Sequence, residues 1–287
     1  EFSMKYKITH LNTFDYDSPV EQSLNTIHLK PRTNECQRLL FYDIEIWPNS
    51  VTREYIDIWH NAAADFYIPQ KHNRLEIQTT SIVSIQKAPL MDQLSFSNKM
   101  KDIFQSQLFK DHYLHYLQAT KYTYLTEEQI HHINNIIGYR NNPIEFSLAL
   151  MTYLHTNIRY DTTATNVKTT AQEAYNLKAG VCQDYAHIMI GVLRANGIPA
   201  RYMSGYLYVG KEDDLIGNSA THAWVEIMVP GVGWLGLDPT NDVEALENHI
   251  ILCAGRDYTD VSPVEGVYTG GDHTLTVKVT VKKIDHL

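Results

Sequence analysis

Three side chains in this sequence combine types and neighbours that suit acyl transfer: Cys182, His222 and Asp238. Cys182 stands in GVCQDYAH, residues 180–187, where a glycine leads into an apolar-patterned segment. A cysteine in the first turn of a helix meets free backbone N–H groups and the positive end of the aligned peptide dipoles. Both favour the thiolate, which is the nucleophilic form of cysteine. The Cys182 backbone N–H is also placed to hold the oxyanion formed when a thiolate attacks a carbonyl. Taken alone, the stretch serves a buried structural cysteine on an apolar helix stripe equally well.

A nucleophilic cysteine needs a base, and the base needs an orienting group. His222 lies in THAWVEI, where strand alternation puts His222, Trp224 and Glu226 on one face and Ala223, Val225 and Ile227 on the other. A second strand candidate, GWLGLDPT, follows the reversal Pro230-Gly231-Val232-Gly233 and ends with Asp238 before Pro239. If the two strands pair as a hairpin, Asp238 reaches back toward His222. One histidine among 14, or one aspartate before a proline, says nothing singly. The order Cys, His, Asp on a helix start and two adjacent strands is what suggests a triad. The same three residues could instead hold a catalytic zinc, although a cysteine at a helix start suits a thiolate nucleophile better. Gln183 and Trp224 flank these positions and are candidate cleft residues.

The elements that must position these groups fall into two regions. YKITHLNTFDYD, RLLFYDIEIWP and LEIQTTSIVSI alternate or run apolar, with turn signals between them, and helical periodicity is absent before residue 90. Residues 4–95 are therefore assigned to a β-sandwich-like N-terminal domain. Residues 96–287 are assigned to a catalytic core that includes the C-terminal strand HTLTVKVTVKKI, whose alternation suits a sheet with one wet face. Within the core, Thr126 and Gln129 form a capping box, Pro143 opens a helix, and Thr170 caps a shorter one that Gly180 ends. The helix from Cys182 carries Tyr185, Ala186, Met189, Ile190 and Leu193 on one face and stops at Asn196-Gly197. Helices first and antiparallel strands afterwards make an α+β fold.

Bulk properties exclude several classes. The 287 residues are 44% hydrophobic and 20% charged, as in an ordinary globular protein. A net charge of −9 speaks against nucleic acid, which wants a basic face. No apolar run is long enough to span a membrane, and EFSMKYKITHLNTF has no signal-peptide pattern. Three scattered cysteines, with no CxxC pair, make neither a disulfide framework nor a structural zinc site. A reducing, cytoplasmic setting is expected, with no metal or cofactor. KEDDLIG at 211–217 lacks the spaced oxygen ligands of a calcium loop and reads as solvated loop.

GVCQDYAHIMIGVLRANGIPARYMSGY followed by THAWVEIMVPGVGWLGLDPTN resembles the core of the transglutaminase-like superfamily. The matching pieces are GVC at the helix start, GIPAR leading to SGY, HAWVE, and the Asp of GWLGLDPTN. The tail HIILCAGRDYTDVSPVEGVYTGGDHTLTVKV is similar to one bacterial branch, which carries a β-rich region before the core. The resemblance implies a papain/transglutaminase-like cysteine-nucleophile core, with Cys182 as nucleophile, His222 as acid and base, and Asp238 orienting His222. It also implies a second oxyanion donor upstream of the cysteine, where NIRYD offers Tyr160 in place of the tryptophan of animal transglutaminases. The implied reaction is acyl transfer from a peptide or protein amide through a thioester. Hydrolysis as a peptidase, amidase or deamidase is preferred by analogy. Protein cross-linking by a γ-glutamyltransferase is the alternative, and a non-enzymatic protein-binding module is a third. The N-terminal domain is expected to wall the cleft; the oligomeric state is left open.

Overall fold

The computed structural model describes residues 3–91, 94–138, 140, 142–210 and 220–285. The acidic KEDDLIG segment at 211–217 lies outside the described residues. The first strands are β1 (Met4–Val20), β2 (Ser23–Ile27), β3 (Gln37–Trp47), β4 (Arg53–Ile56), β5 (Ala62–Ile68) and β6 (His72–Ile85). Helices follow: α1 (Asn98–Gln105), α2 (Gln107–His112), α3 (Glu127–Ile137) and α4 (Pro143–Asn157). Then come β7 (Arg159–Tyr160), α5 (Ala171–Leu177), β8 (Ala179–Gly180) and α6 (Cys182–Ala195). The chain ends in β9 (Ala200–Leu207), β10 (His222–Val229), β11 (Gly233–Asp238), β12 (Val243–Glu244), β13 (His249–Gly255), β14 (Val264–Tyr268) and β15 (His273–Lys283).

The N-terminal strands build two four-stranded sheets, ordered β15-β1-β6-β3 and β14-β2-β5-β4. Their alternating apolar residues meet in a shared interior of Phe14, Val20, Ile27, Phe66, Ile68, Leu75 and Ile77. The last two strands correct the domain boundary drawn from sequence. β15 runs beside β1 from Tyr6↔Lys283 to Tyr16↔His273, and β14 pairs with β2. The C-terminal strand thus belongs to the sandwich, not to the core of residues 96–287. β6 pairs along only one edge of the long β1, and the other edge would be left with open N–H and C=O groups. Alternation reveals a strand but not its partner, which here is more than 250 residues away in the chain.

The helical region follows its local signals. Thr126 and Gln129 close the capping box of α3, and Asn142 caps α4 ahead of Pro143. Thr170 and Glu173 form a second box on α5. That helix stops earlier than Gly180: Lys178 takes the left-handed conformation at φ 51, and Ala179–Gly180 become β8, parallel to β7. Gly180 is required for another reason, since a Cβ there would lie 2.5 Å from Asp184 Oδ2.

Helix α6 is buried on every side rather than along one stripe. Its polar residues find partners inside the fold. Near its C-terminus Arg194 donates to the carbonyls of Ala200, Gln118 and Arg256, where a cation also complements the helix dipole. Ala223, Val225 and Ile227 of β10 join the large core that encloses α6.

The remaining five-stranded sheet is ordered β12-β11-β10-β9-β13, so β13 is an edge. Two side-chain amides of the sandwich cover that edge. Gln37 accepts from the Ile251 N–H and donates to the Ile251 carbonyl, both at 2.8 Å. Asn61 does the same for Ala254, at 2.9 and 2.7 Å. Each amide imitates a neighbouring strand residue and pairs one donor and one acceptor. The sandwich and the core are thereby joined by buried hydrogen bonds whose loss would leave backbone groups unsatisfied.

Gly191 is the tightest approach along α6: an added Cβ would lie 2.0 Å from the Thr123 carbonyl oxygen. Alanine normally gains about 1 kcal/mol over glycine inside a helix, whereas overpacking costs about 1–3 kcal/mol. Gly191→Ala is therefore expected to lower the Tm despite its better helix propensity. Thermal unfolding checks the sign, and a stabilised variant would contradict the packing described.

Candidate active site

The site begins with the turn that launches α6. Asp184, three residues into the helix, folds its carboxylate back to accept from the Val181 N–H at 2.8 Å. The Thr165 hydroxyl donates to the same oxygen at 2.5 Å. The bare Cα of Gly180 leaves room for this carboxylate. Asp184 is itself buried, and burial raises its pKa against the pull of these two hydrogen bonds. The result fixes Cys182 at the first helical position, half-buried, with the free N–H groups of the first turn around it.

His222 starts β10, and Asp238 ends β11. The hairpin register pairs Val225 with Leu237, so Asp238 stands one step further, across from Trp224. The two side chains meet as the sequence suggested: His222 Nε2 donates to Asp238 Oδ2 at 2.8 Å. Asp238 also organises its own turn, its Oδ1 accepting from the N–H groups of Thr240 at 3.0 Å and Asn241 at 3.3 Å. The Asn241 side-chain amide donates to Oδ2 at 2.9 Å. The short DPTN motif is thus a cradle for one buried carboxylate.

Because Nε2 of His222 carries the proton given to Asp238, Nδ1 is the ring's other working atom. It is buried and makes no hydrogen bond among the described residues. The Cys182 thiol acts on this ring closely enough to raise its pKa, although the two are not in full hydrogen-bond geometry. Contacts of this kind commonly tighten when substrate binds. Burial alone would lower the His222 pKa; Asp238, and after it Cys182, outweigh burial and push it up to about 10. Asp238, though buried, is held well below the usual carboxylate range by His222 and His249. Near neutrality the pair is a carboxylate facing an imidazolium.

His249, at the start of β13, was not singled out from the sequence. Its Nε2 donates to the same Asp238 Oδ2 at 2.8 Å. Its only sequence signal is a histidine opening a strand-like run, HIILCAG, which names no partner. The donor atoms of His222, Asp238 and His249 lie within 4.8 Å of one another, a spacing a metal ion could use. This is not the Cys182–His222–Asp238 ligand set considered from sequence, and both Nε2 atoms are engaged by the carboxylate.

The remaining predicted positions behave differently. Trp224 is 1% exposed; its ring stacks on His222 at 6.0 Å and meets His249 edge-on at 5.1 Å. Gly205, across from His222, makes room for it, since a Cβ there would lie 2.7 Å from the Trp224 ring. Gln183 is buried, and its amide donates to the Val167 carbonyl at 3.1 Å, tying the helix to the preceding loop. Both are drawn inward because their polar or aromatic groups find partners there. Tyr160 pairs with Gly180 in the β7–β8 ladder, which brings it beside Cys182. Burial, with Cys182 adding to it, pushes the Tyr160 hydroxyl up to about 12, so it remains a donor. A cavity of about 520 Å³ does lie between the sandwich and the sheet, lined by Arg32, Gln37, Arg201, Trp224, Trp234 and His249. Residues of the sandwich and of the sheet that carries His249 line it together.

Comparison with known proteins shows the family and the fold. Residues 131–239 match the Transglutaminase-like superfamily, and residues 6–84 match the Bacterial transglutaminase-like N-terminal region. An uncharacterised protein of Mycobacterium leprae is 31% identical over 285 residues, covering 98% of this chain and 99% of its own. The chain belongs to the transglutaminase-like superfamily. A Cytophaga hutchinsonii crystal structure, described as a candidate cysteine protease, shares this superfamily fold with a TM-score of 0.75 at 21% identity, covering 100% of this chain and 92% of that one. A protein-glutamine gamma-glutamyltransferase of Pseudomonas aeruginosa is 44% identical over 75 residues, 24% of this chain and 11% of its own. No helix among the described residues of this transglutaminase-like protein is long and apolar enough to cross a membrane.

The His222–Asp238 pair has a signature in stability. A histidine whose pKa is raised from 6.5 to about 10 on folding contributes stability that is fully present below about pH 6.5. That contribution fades as pH climbs toward 10. The Tm deficit of His222→Gln against wild type is therefore expected to be largest near pH 6 and to shrink steadily up to about pH 10. Calorimetry across that range checks it; a deficit that grows with pH would contradict the raised pKa.

Proposed function

We propose that this protein is a cysteine-nucleophile amide hydrolase acting on a peptide or protein, with Cys182, His222 and Asp238 as its triad. The observation that carries this reading is the 2.8 Å bond by which buried Asp238 turns His222 so that its free Nδ1 is available to Cys182. The Cys182 thiolate attacks the amide carbonyl, forming a C–S bond as the carbonyl electron pair moves to oxygen. The Cys182 N–H at the start of α6 supports that oxyanion, and the Tyr160 hydroxyl serves as the second donor. The His222 imidazolium then gives its proton to the departing amine or ammonia as the C–N bond breaks. A water, deprotonated by the now neutral His222, attacks the thioester and releases the carboxylic acid and the thiolate. Asp238 keeps the Nε2–H tautomer throughout.

The other acyl acceptor is a lysine amine, which would make the protein a cross-linking glutamine γ-glutamyltransferase. The 44% identity to the Pseudomonas aeruginosa protein-glutamine gamma-glutamyltransferase over 75 residues favours this second reading. The same residues serve both reactions; access of water or amine to the thioester decides. The three cysteines are free thiols, which suits a reducing, cytoplasmic setting.

Two measurements test the reading. In the first, wild type and Cys182→Ala are incubated with a glutamine-rich protein, with and without a labelled primary amine. Wild type is expected to release ammonia or new N-termini, and Cys182→Ala to fall by about 10⁴-fold or more. Dominant amine incorporation would overturn hydrolysis in favour of transfer, and activity surviving in Cys182→Ala would remove the mechanism. In the second, iodoacetamide is expected to label Cys182 below about pH 8 faster than Cys36 or Cys253. Cys253 is fully buried, and burial pushes its thiol up to about 12. Equal rates at Cys182 and Cys36 would count against an activated nucleophile.

A further inference from the structure

The sandwich and the Asp238–His222 pair are linked by one strand. β13 is clamped on its outer edge by Gln37 at Ile251 and by Asn61 at Ala254, and both amides are buried. Gln37 is itself tied down, donating to the Arg32 carbonyl at 2.7 Å. Two residues before Ile251 the same strand carries His249, whose Nε2 donates to Asp238 Oδ2 at 2.8 Å. His249 does not touch the thiol side of His222; it acts on the oxygen atom that holds His222.

We infer that His249 is a positioning residue for Asp238, and that the N-terminal sandwich sets its position through the Gln37 and Asn61 clamps on β13. This rests on reading Cys182, His222 and Asp238 as the reacting triad. The chemistry is that of an outer partner locking an inner one. With Oδ2 shared between two imidazoles and the Asn241 amide, and Oδ1 bound to the DPTN backbone, the carboxylate has one orientation left. Trp224 packs against both rings and prevents either from tilting away. His249 must be a neutral donor in this role, because a second cation would compete with His222 for Asp238. Burial lowers its pKa; Asp238 opposes this, while His222 and Lys87 reinforce it.

The test needs no substrate. Cys182 alkylation by iodoacetamide is followed against pH in wild type, His249→Phe, His249→Gln and Gln37→Met, each checked for folding by near-ultraviolet circular dichroism and Tm. Phenylalanine keeps the ring volume and removes the donor; glutamine supplies an amide N–H at similar reach. In His249→Phe the imidazolium is less firmly held beside the thiol, so the acid limb of the rate moves to higher pH. The rate near pH 6 is expected to fall about tenfold. His249→Gln restores most of it, and Gln37→Met moves the limb in the same direction by less. A purely structural role would lower the folded fraction without moving the limb. A folded His249→Phe with the wild-type profile overturns the role of His249; a folded Gln37→Met with the wild-type profile overturns the part given to the sandwich. Should His249→Phe not fold, nitrogen NMR of the wild-type imidazoles decides: His249 is expected neutral with Nε2 protonated and His222 cationic at pH 7, and the reverse overturns the inference. If wild-type Cys182 is no more reactive than Cys36, it is the triad reading that fails.

Discussion

The structure turns on one buried carboxylate. Asp238 is fully enclosed, and an isolated ion in such a place costs several kcal/mol to desolvate. It remains charged because every direction around it is filled by a donor: two imidazoles, the Asn241 amide and two backbone N–H groups. A buried charge satisfied in this way cannot drift, since moving it would leave several partners unpaired at once. Its fixed position gives His222 a defined tautomer and a defined direction.

The rest of the core serves that pair. α6 brings Cys182 to it from one side, its start shaped by Asp184 folding over Gly180. β10 and β11 bring His222 and Asp238 from the other, in a register that a two-strand hairpin sets. The helix can be buried on all sides because its polar residues are matched inside: Asp184 by Thr165 and Val181, Arg194 by three carbonyl groups. The sandwich then covers the open edge of β13, which would otherwise present unpaired backbone groups.

Each region read correctly from sequence rests on local physics. Caps at Thr126 and Thr170 are short-range hydrogen bonds between a side chain and a backbone a few residues away, and Pro143 opens α4 through its own fixed φ. The alternation of HAWVE and GWLGLD is a property of neighbouring residues, and the Pro-Gly reversal between them makes the hairpin local as well. The pairing of His222 with Asp238 was therefore legible. The burial of Trp224 and Gln183 was not legible, because exposure depends on what packs over a side chain, and the sequence carries no such information. Gly180 does not stop a helix, as its sequence position suggests; it leaves space for a side chain four residues later.

The sequence by itself determined the helix that starts at Cys182, the hairpin that carries His222 and Asp238, and the β character of both chain ends. These follow from periodicity, capping and turn chemistry, all of which act over a few residues. Only the tertiary structure decided that β15 closes the sandwich beside β1, that Gln37 and Asn61 reach across to β13, and that His249 shares the carboxylate of Asp238. Those contacts join residues far apart in the chain. They are set by which edges and buried polar atoms remain unsatisfied once the local elements have packed, and that quantity exists only in the folded molecule.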